Sequence, residues 1–178
     1  AVMGALGNAL FALTGPLSTF SAGFVNISLD LSHVATALAA VFGGPIVGLV
    51  TGLIIGVAPG IWFGIATGPI AFICVPIGKA LTGLTVGLLQ RAFRIHEKEH
   101  RSLLTALVVL AGYLPEMLFT ASYFLLLVPY FTGQFVAYMI LVSVLVKAWF
   151  ELTLVSVLSG SLAGNSSFAG FMARRFTT

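Results

Sequence analysis

Four ionisable residues stand inside long apolar runs of this chain: Lys79, Glu116, Lys147 and Glu151. A charge in hydrocarbon is costly and turns toward a bundle interior or a water-filled cavity, so any chemistry starts from these side chains. Glu151 follows Lys147 by four residues, the spacing that brings two side chains together on one helix face. Tyr113, Glu116, Thr120 and Tyr123 fall at i, i+3, i+7 and i+10, which gives one helix a polar and aromatic stripe. Pro115, just before Glu116, weakens that helix and frees a carbonyl. Two readings follow. In the first, two lysines and two glutamates neutralise one another as interhelical pairs. In the second, they line a polar ligand site, with Glu116 and Lys147 at its floor and Tyr113, Tyr123 and Tyr138 as walls. The Thr and Tyr stripe favours the second, since pairing alone has no use for it. A lysine and a glutamate at one depth suit a ligand with a carboxylate or a zwitterion, unless Glu151 already holds Lys147.

A second pattern is discounted. His96-Glu97-Lys98-Glu99-His100 matches H-E-x-x-H, in which two histidines at i and i+4 bind zinc and the glutamate serves as base. An intramembrane zinc protease would need a third ligand. Asp30 and His33 fall toward the opposite membrane side, and Glu116 and Glu151 lie deep in the bilayer. The motif is also flanked by charge, so it reads as a solvated loop with no metal. The chain contains neither a G-x-x-x-x-G-K-[ST] phosphate loop nor a G-x-S-x-G elbow, and its basic residues form no nucleic-acid-binding patch.

The elements that must position these residues follow from composition. Hydrophobic residues make up 59% of the chain and charged residues 7%, with a mean hydropathy of +1.12. That composition belongs to a multi-pass integral membrane protein, a single transmembrane domain over residues 1–178 surrounded by lipid. Gly-Pro and Pro-Gly breaks divide it into six helices, at about 1–15, 31–42, 45–58, 69–91, 102–128 and 135–163. Arg91, Arg94, Lys98 and Arg101 place the loop before the fifth helix in the cytoplasm, and Arg174 and Arg175 place the C-terminus there. Both ends then lie inside, and segments 16–30 and 59–68, free of Lys and Arg, lie outside. The opening at Ala1 inside a helical pattern predicts a further segment upstream. Cys74 sits in an apolar run as a packing residue.

Glycine recurs every fourth residue from Gly44 through Gly48, Gly52, Gly56, Gly60 and Gly64 to Gly68. Such a ladder makes either a close-packed seam within the bundle or a groove for a partner. The segment 16–30, with Asn26 among its polar residues and Phe20 and Phe24 among its apolar ones, predicts a lid folded over the outer mouth. Asp30 or Ser32 is placed to cap the second helix.

Three features resemble the substrate-binding S-components of energy-coupling factor (ECF) vitamin transporters. The first is the small-residue face Ala1, Ala5 and Ala9, similar to the alanine motif by which those proteins dock onto a transmembrane coupling subunit. The second is the run Leu38 to Gly52, with its Gly43-Gly44-Pro45 turn. The third is the plan of six helices, both ends inside, with a lid-like first outer loop. The resemblance implies a binding subunit for a vitamin or related micronutrient, without catalysis or cofactor of its own, in the cell membrane. Its partners would be a coupling subunit and, through it, two ATPases of an ABC-type importer. Asn26, Lys79, Tyr113, Glu116, Thr120, Tyr123, Tyr138, Lys147 and Glu151 would hold the ligand. His33 stands where many relatives carry a proline. The alternative is a self-sufficient small transporter or channel, which would need no partner.

Overall fold

In the computed structural model, which describes residues 2–15, 19–22, 25–28 and 30–176, glycine brings two helices into backbone contact. α3 (Pro45–Thr67) and α4 (Ala71–Ala92) run antiparallel along their whole lengths. A Cβ on Gly48 would strike the carbonyl of Gly83, one on Gly52 the carbonyl of Lys79, and one on Gly56 the backbone of Pro76. Farther along, Gly64 faces the ring of Phe72, and at the other end Gly87 of α4 faces Pro45. The ladder is therefore an internal seam of the bundle, and its outermost members, Gly44 and Gly68, are helix caps with φ of 84° and 99°.

α1 (Val2–Thr14) uses glycine in the same way. Gly4 and Gly7 rest on the side chains of Ile54 and Ile55, and Phe11 is buried. This seating turns Ala5 and Ala9 outward, where both are exposed. Ala1 lies outside the described residues.

α2 (His33–Gly43) is buried at His33 and from Ala35 through Val41. Its 11 residues reach about 16 Å at ~1.5 Å per residue, roughly half of the hydrocarbon thickness. It ends where the Gly44 N–H donates to the Ala40 carbonyl at 2.9 Å, and Pro45 then starts α3 from a position that needs no N–H. In the 16–30 segment, β1 (Thr19–Ala22) and β2 (Val25–Ser28) form an antiparallel hairpin pairing Thr19 with Ser28 and Ala22 with Val25.

Several boundaries differ from the sequence expectation. α3 does not stop at 58. It continues through Pro59 to Thr67, so the expected outer segment 59–68 shrinks to a turn at Gly68–Ile70. A proline costs one helical hydrogen bond, a loss that neighbouring helices in a packed bundle absorb. The expected fifth helix is two, α5 (Arg101–Gly112) and α6 (Leu114–Leu126), with the break at Tyr113, two residues before Pro115. After α7 (Pro129–Thr132) and α8 (Gln134–Gly164) the chain forms a further helix, α9 (Ser166–Phe176), opened by Asn165, whose side-chain oxygen accepts from the Phe168 N–H at 3.0 Å. The Arg101 guanidinium ties the end of α8 to the start of α5 by donating to the Gly164 carbonyl at 3.0 Å.

Four helical stretches are long and apolar enough to cross a membrane: Pro45–Ile65, Ala71–Ala92, Arg101–Leu126 and Ala137–Gly164. α1 and α2 are shorter apolar helices. The outer surface carries Ile46, Ile65, Leu118 and Val146, each more than 60% exposed, a distribution suited to lipid rather than water. Inside, one apolar cluster gathers α2, α4, α5 and α8 around Val86, Val109 and Leu152, and a second joins α4, α6 and α8 around Tyr123, Phe124 and Ile140.

Candidate functional site

Between the two apolar clusters lies a cavity of about 90 Å³ whose lining includes every ionisable residue of the bundle interior. The close α3–α4 seam positions its first member. Gly52 lies under the backbone of Lys79, and the Lys79 ammonium bonds the Asp30 carboxylate at 2.7 Å and the Ser32 hydroxyl at 2.9 Å. Asp30 is thus drawn into the interior, 5% exposed, immediately before the first turn of α2. Its other oxygen accepts from the Ser32 N–H at 2.9 Å, and its own N–H donates to Glu151. Burial alone would raise the Asp30 carboxyl, but the Lys79 ammonium, helped by His33 and Lys147, holds it well below the usual carboxylate range.

α8 supplies the second pair. Lys147 and Glu151, one turn apart, meet at 3.1 Å, and the Lys147 ammonium lies 5.7 Å from the centre of the Phe63 ring. α6 supplies the third carboxylate. Glu116 accepts from the Thr82 hydroxyl through Oε2, while its Oε1 stands 3.7 Å from His33 Nε2, beyond hydrogen-bonding range. Gly78 opens the room for it: a Cβ there would lie 3.3 Å from Glu116 Cγ. Among the described residues His33 Nδ1 is buried without a hydrogen-bond partner, and the His33 ring meets Tyr113 edge-on, with centroids 6.5 Å apart.

Of the residues expected at the site, Lys79, Tyr113, Glu116, Thr120, Tyr123, Lys147 and Glu151 all line this cavity. The stripe from Tyr113 to Tyr123 faces it even though the helix breaks at Tyr113. Tyr138 does not belong to it. That side chain is 58% exposed on the outside of α8, because the helical turn that aims Lys147 inward carries residue 138 to the lipid side. Asn26 is placed by its backbone in β2, opposite Ser21. Both lysines are neutralised, but not in interhelical lysine–glutamate pairs: Lys79 goes to Asp30, and Lys147 to Glu151 on its own helix. Among the described residues Glu116 has no lysine within ion-pair distance.

Sequence reasoning missed Asp30, Ser32, His33 and Thr82 as site residues. Asp30 and Ser32 were expected to cap α2, yet Ser32 makes no side-chain capping bond there, and its hydroxyl accepts from Lys79 instead. Asp30 and His33 both line the cavity. Thr82 had a usable signal, since it follows Lys79 by three residues and must share its helix face.

The H-E-x-x-H pattern has no helix to act from. Ile95–Glu97 forms a single 3-10 turn and Lys98 is extended, so His96 and His100 do not share a face. His96 Nε2 lies 2.9 Å from the Val41 carbonyl, joining this loop to the C-terminal end of α2. Among the described residues no three His, Cys, Asp or Glu side chains are grouped to hold a metal ion.

The cavity lies in the half of the bundle nearer the Gly68–Ile70 turn, since its walls come from Pro59 and Phe63 late in α3 and from Cys74 to Lys79 early in α4. A partly open cavity with aromatic walls and fixed charges can hold a small polar molecule. No protein-family model, curated protein or solved structure matches the chain.

Proposed function

We propose that this chain is the substrate-binding subunit of an ECF-type importer, which captures a vitamin-like micronutrient from outside and passes it through a separate coupling subunit driven by ATPases. In this reading the shorter α1 and α2, each completed by the segment beside it, join the four long stretches to make six crossings in the cell membrane. Both ends lie in the cytoplasm, as the positions of Arg91, Arg94, Lys98, Arg101 and the pair Arg174 and Arg175 require. The hairpin of β1 and β2 acts as the lid.

The observation that carries the reading is the polar cavity, set in one half of an otherwise apolar bundle and tied to the end of the lid segment through Asp30. A binder needs a chamber that closes over its cargo, and here the segment that would close it is bonded to the chamber floor. The outward Ala5 and Ala9 support a docking role, because helices in lipid associate by close approach across small residues.

The test is a pair of measurements on Ala5→Trp and Ala9→Trp. Uptake should fall to background while ligand binding by the purified subunit stays within about twofold, since neither residue lines the cavity. Uptake at the unaltered rate would refute the coupling role and favour a self-sufficient transporter. Mass spectrometry of the molecule that co-purifies would name the cargo.

A further inference from the structure

From the way the cavity's charges are already committed, we infer that its ligand is a cation built on one small flat ring, an alkylammonium carrying the ring or a protonated heteroaromatic, held by Glu116. The inference rests on the ligand-capture reading above and specifies its chemistry. Three carboxylates, Asp30, Glu116 and Glu151, face two ammonium groups, those of Lys79 and Lys147. Asp30 uses both oxygens on Lys79 and the Ser32 N–H, and Glu151 takes Lys147 and the Asp30 N–H on a single oxygen, Oε1. Glu116 is the carboxylate left without an ammonium in ion-pair range. Among the described residues its Oε1 receives no hydrogen bond, and the nearest cationic candidate, His33 Nε2, stands off at 3.7 Å. Glu116 is only 8% exposed, so water does not solvate it as it would a surface carboxylate.

A carboxylate lining a cavity with an oxygen that has no protein donor is completed by a ligand that brings one, best with a positive charge. A carboxylate ligand would meet the opposite situation, because neither ammonium is free and it would add a fourth negative group. The walls agree with the sign. Phe63, Phe119, Tyr123 and Phe124 line the cavity, and aromatic walls suit a cation or another ring. The volume limits the enclosed part of the ligand to no more than one small ring: about 90 Å³ here, less than the roughly 150 Å³ of an engineered cavity that takes benzene.

The test uses three probes of one shape and different charge, benzylammonium, benzyl alcohol and benzoate, titrated calorimetrically into the detergent-solubilised full chain. Benzylammonium should bind about tenfold or more tighter than benzyl alcohol, and benzoate weakest. Glu116→Gln, which keeps the side chain's shape, should erase the advantage of the cation and leave benzyl alcohol within about twofold. Tighter binding of benzoate, no binding of any probe at millimolar concentration, or a cation preference that survives in Glu116→Gln would each overturn the inference. The probe series on the unaltered protein decides the matter even if Glu116→Gln folds poorly. A cation preference found together with uptake that ignores Ala9→Trp would uphold this site while removing the coupling role.

Discussion

Lys79 is 2% exposed, and what makes its charge tolerable is a single carboxylate delivered by another part of the chain. Removing one member of such a pair strands the other, at a cost of about 3 kcal/mol, whereas removing both restores an apolar interior. Asp30→Asn and Lys79→Met should therefore each lower the thermal unfolding midpoint of the solubilised protein sharply, and the double variant should recover much of the loss. Additive losses in that double-mutant cycle would show that the two side chains do not depend on each other. The sequence made one member of this pair legible and hid the other. Lys79 stands out because it interrupts an apolar helix, and the stripe around Glu116 follows from helical periodicity. Asp30 sits among polar residues at a helix start, where capping explains it locally. Only the path of the chain beyond β2 brings it to Lys79, and no local pattern encodes that path.

At the scale of elements, the α3–α4 seam sets the geometry on which the site depends. Gly83 faces the backbone of Gly48, one turn along α4 from Lys79, so a methyl group there must displace rigid main chain, with the Thr36 methyl also close by. Gly83→Ala should destabilise the protein by about 1–3 kcal/mol and weaken ligand binding, because the helices must part beside Lys79. Gly170→Ala in α9 is the control: nothing lies within 4 Å of its Cβ position, and alanine should be neutral or stabilising by up to about 1 kcal/mol. Equal effects from the two substitutions, read from unfolding midpoints, would show that the seam is not close-packed. Most of these helices were readable because each carries one unbroken apolar run between glycine or proline breaks. α4 and α8 match their expected limits to within about two residues. The misreadings occurred where proline was ambiguous. Pro59 reads as a turn beside Gly60 but is carried inside α3, whereas Pro115 reads as a weak point and follows a true break at Tyr113. What separates them is tertiary: Gly56, Gly60 and Gly64 hold α3 against α4 on both sides of Pro59.

For the whole molecule, the distribution of charge along the bundle axis decides which way the cavity opens. The turn Gly68–Ile70 joins α3 to α4 at one end and carries no charge, while Arg91, Arg94, Lys98 and Arg101 gather at the other. α3 has 23 residues, about 34 Å at ~1.5 Å per residue, enough to hold these two ends on opposite faces of the hydrocarbon core. Because positive charge stays in the cytoplasm, the Gly68–Ile70 turn should be outside, and with it the half of the bundle that contains the cavity. Single cysteines placed by Pro69→Cys and Lys98→Cys, with Cys74 replaced by alanine, test this. A membrane-impermeant maleimide should label the first in intact cells and the second only after permeabilisation. The opposite pattern would turn the cavity toward the cytoplasm, and a capture subunit could not then load from outside. Labelling of both from outside would mean that α4 does not cross the membrane, leaving Lys79 without the lipid surroundings that make its pairing with Asp30 necessary.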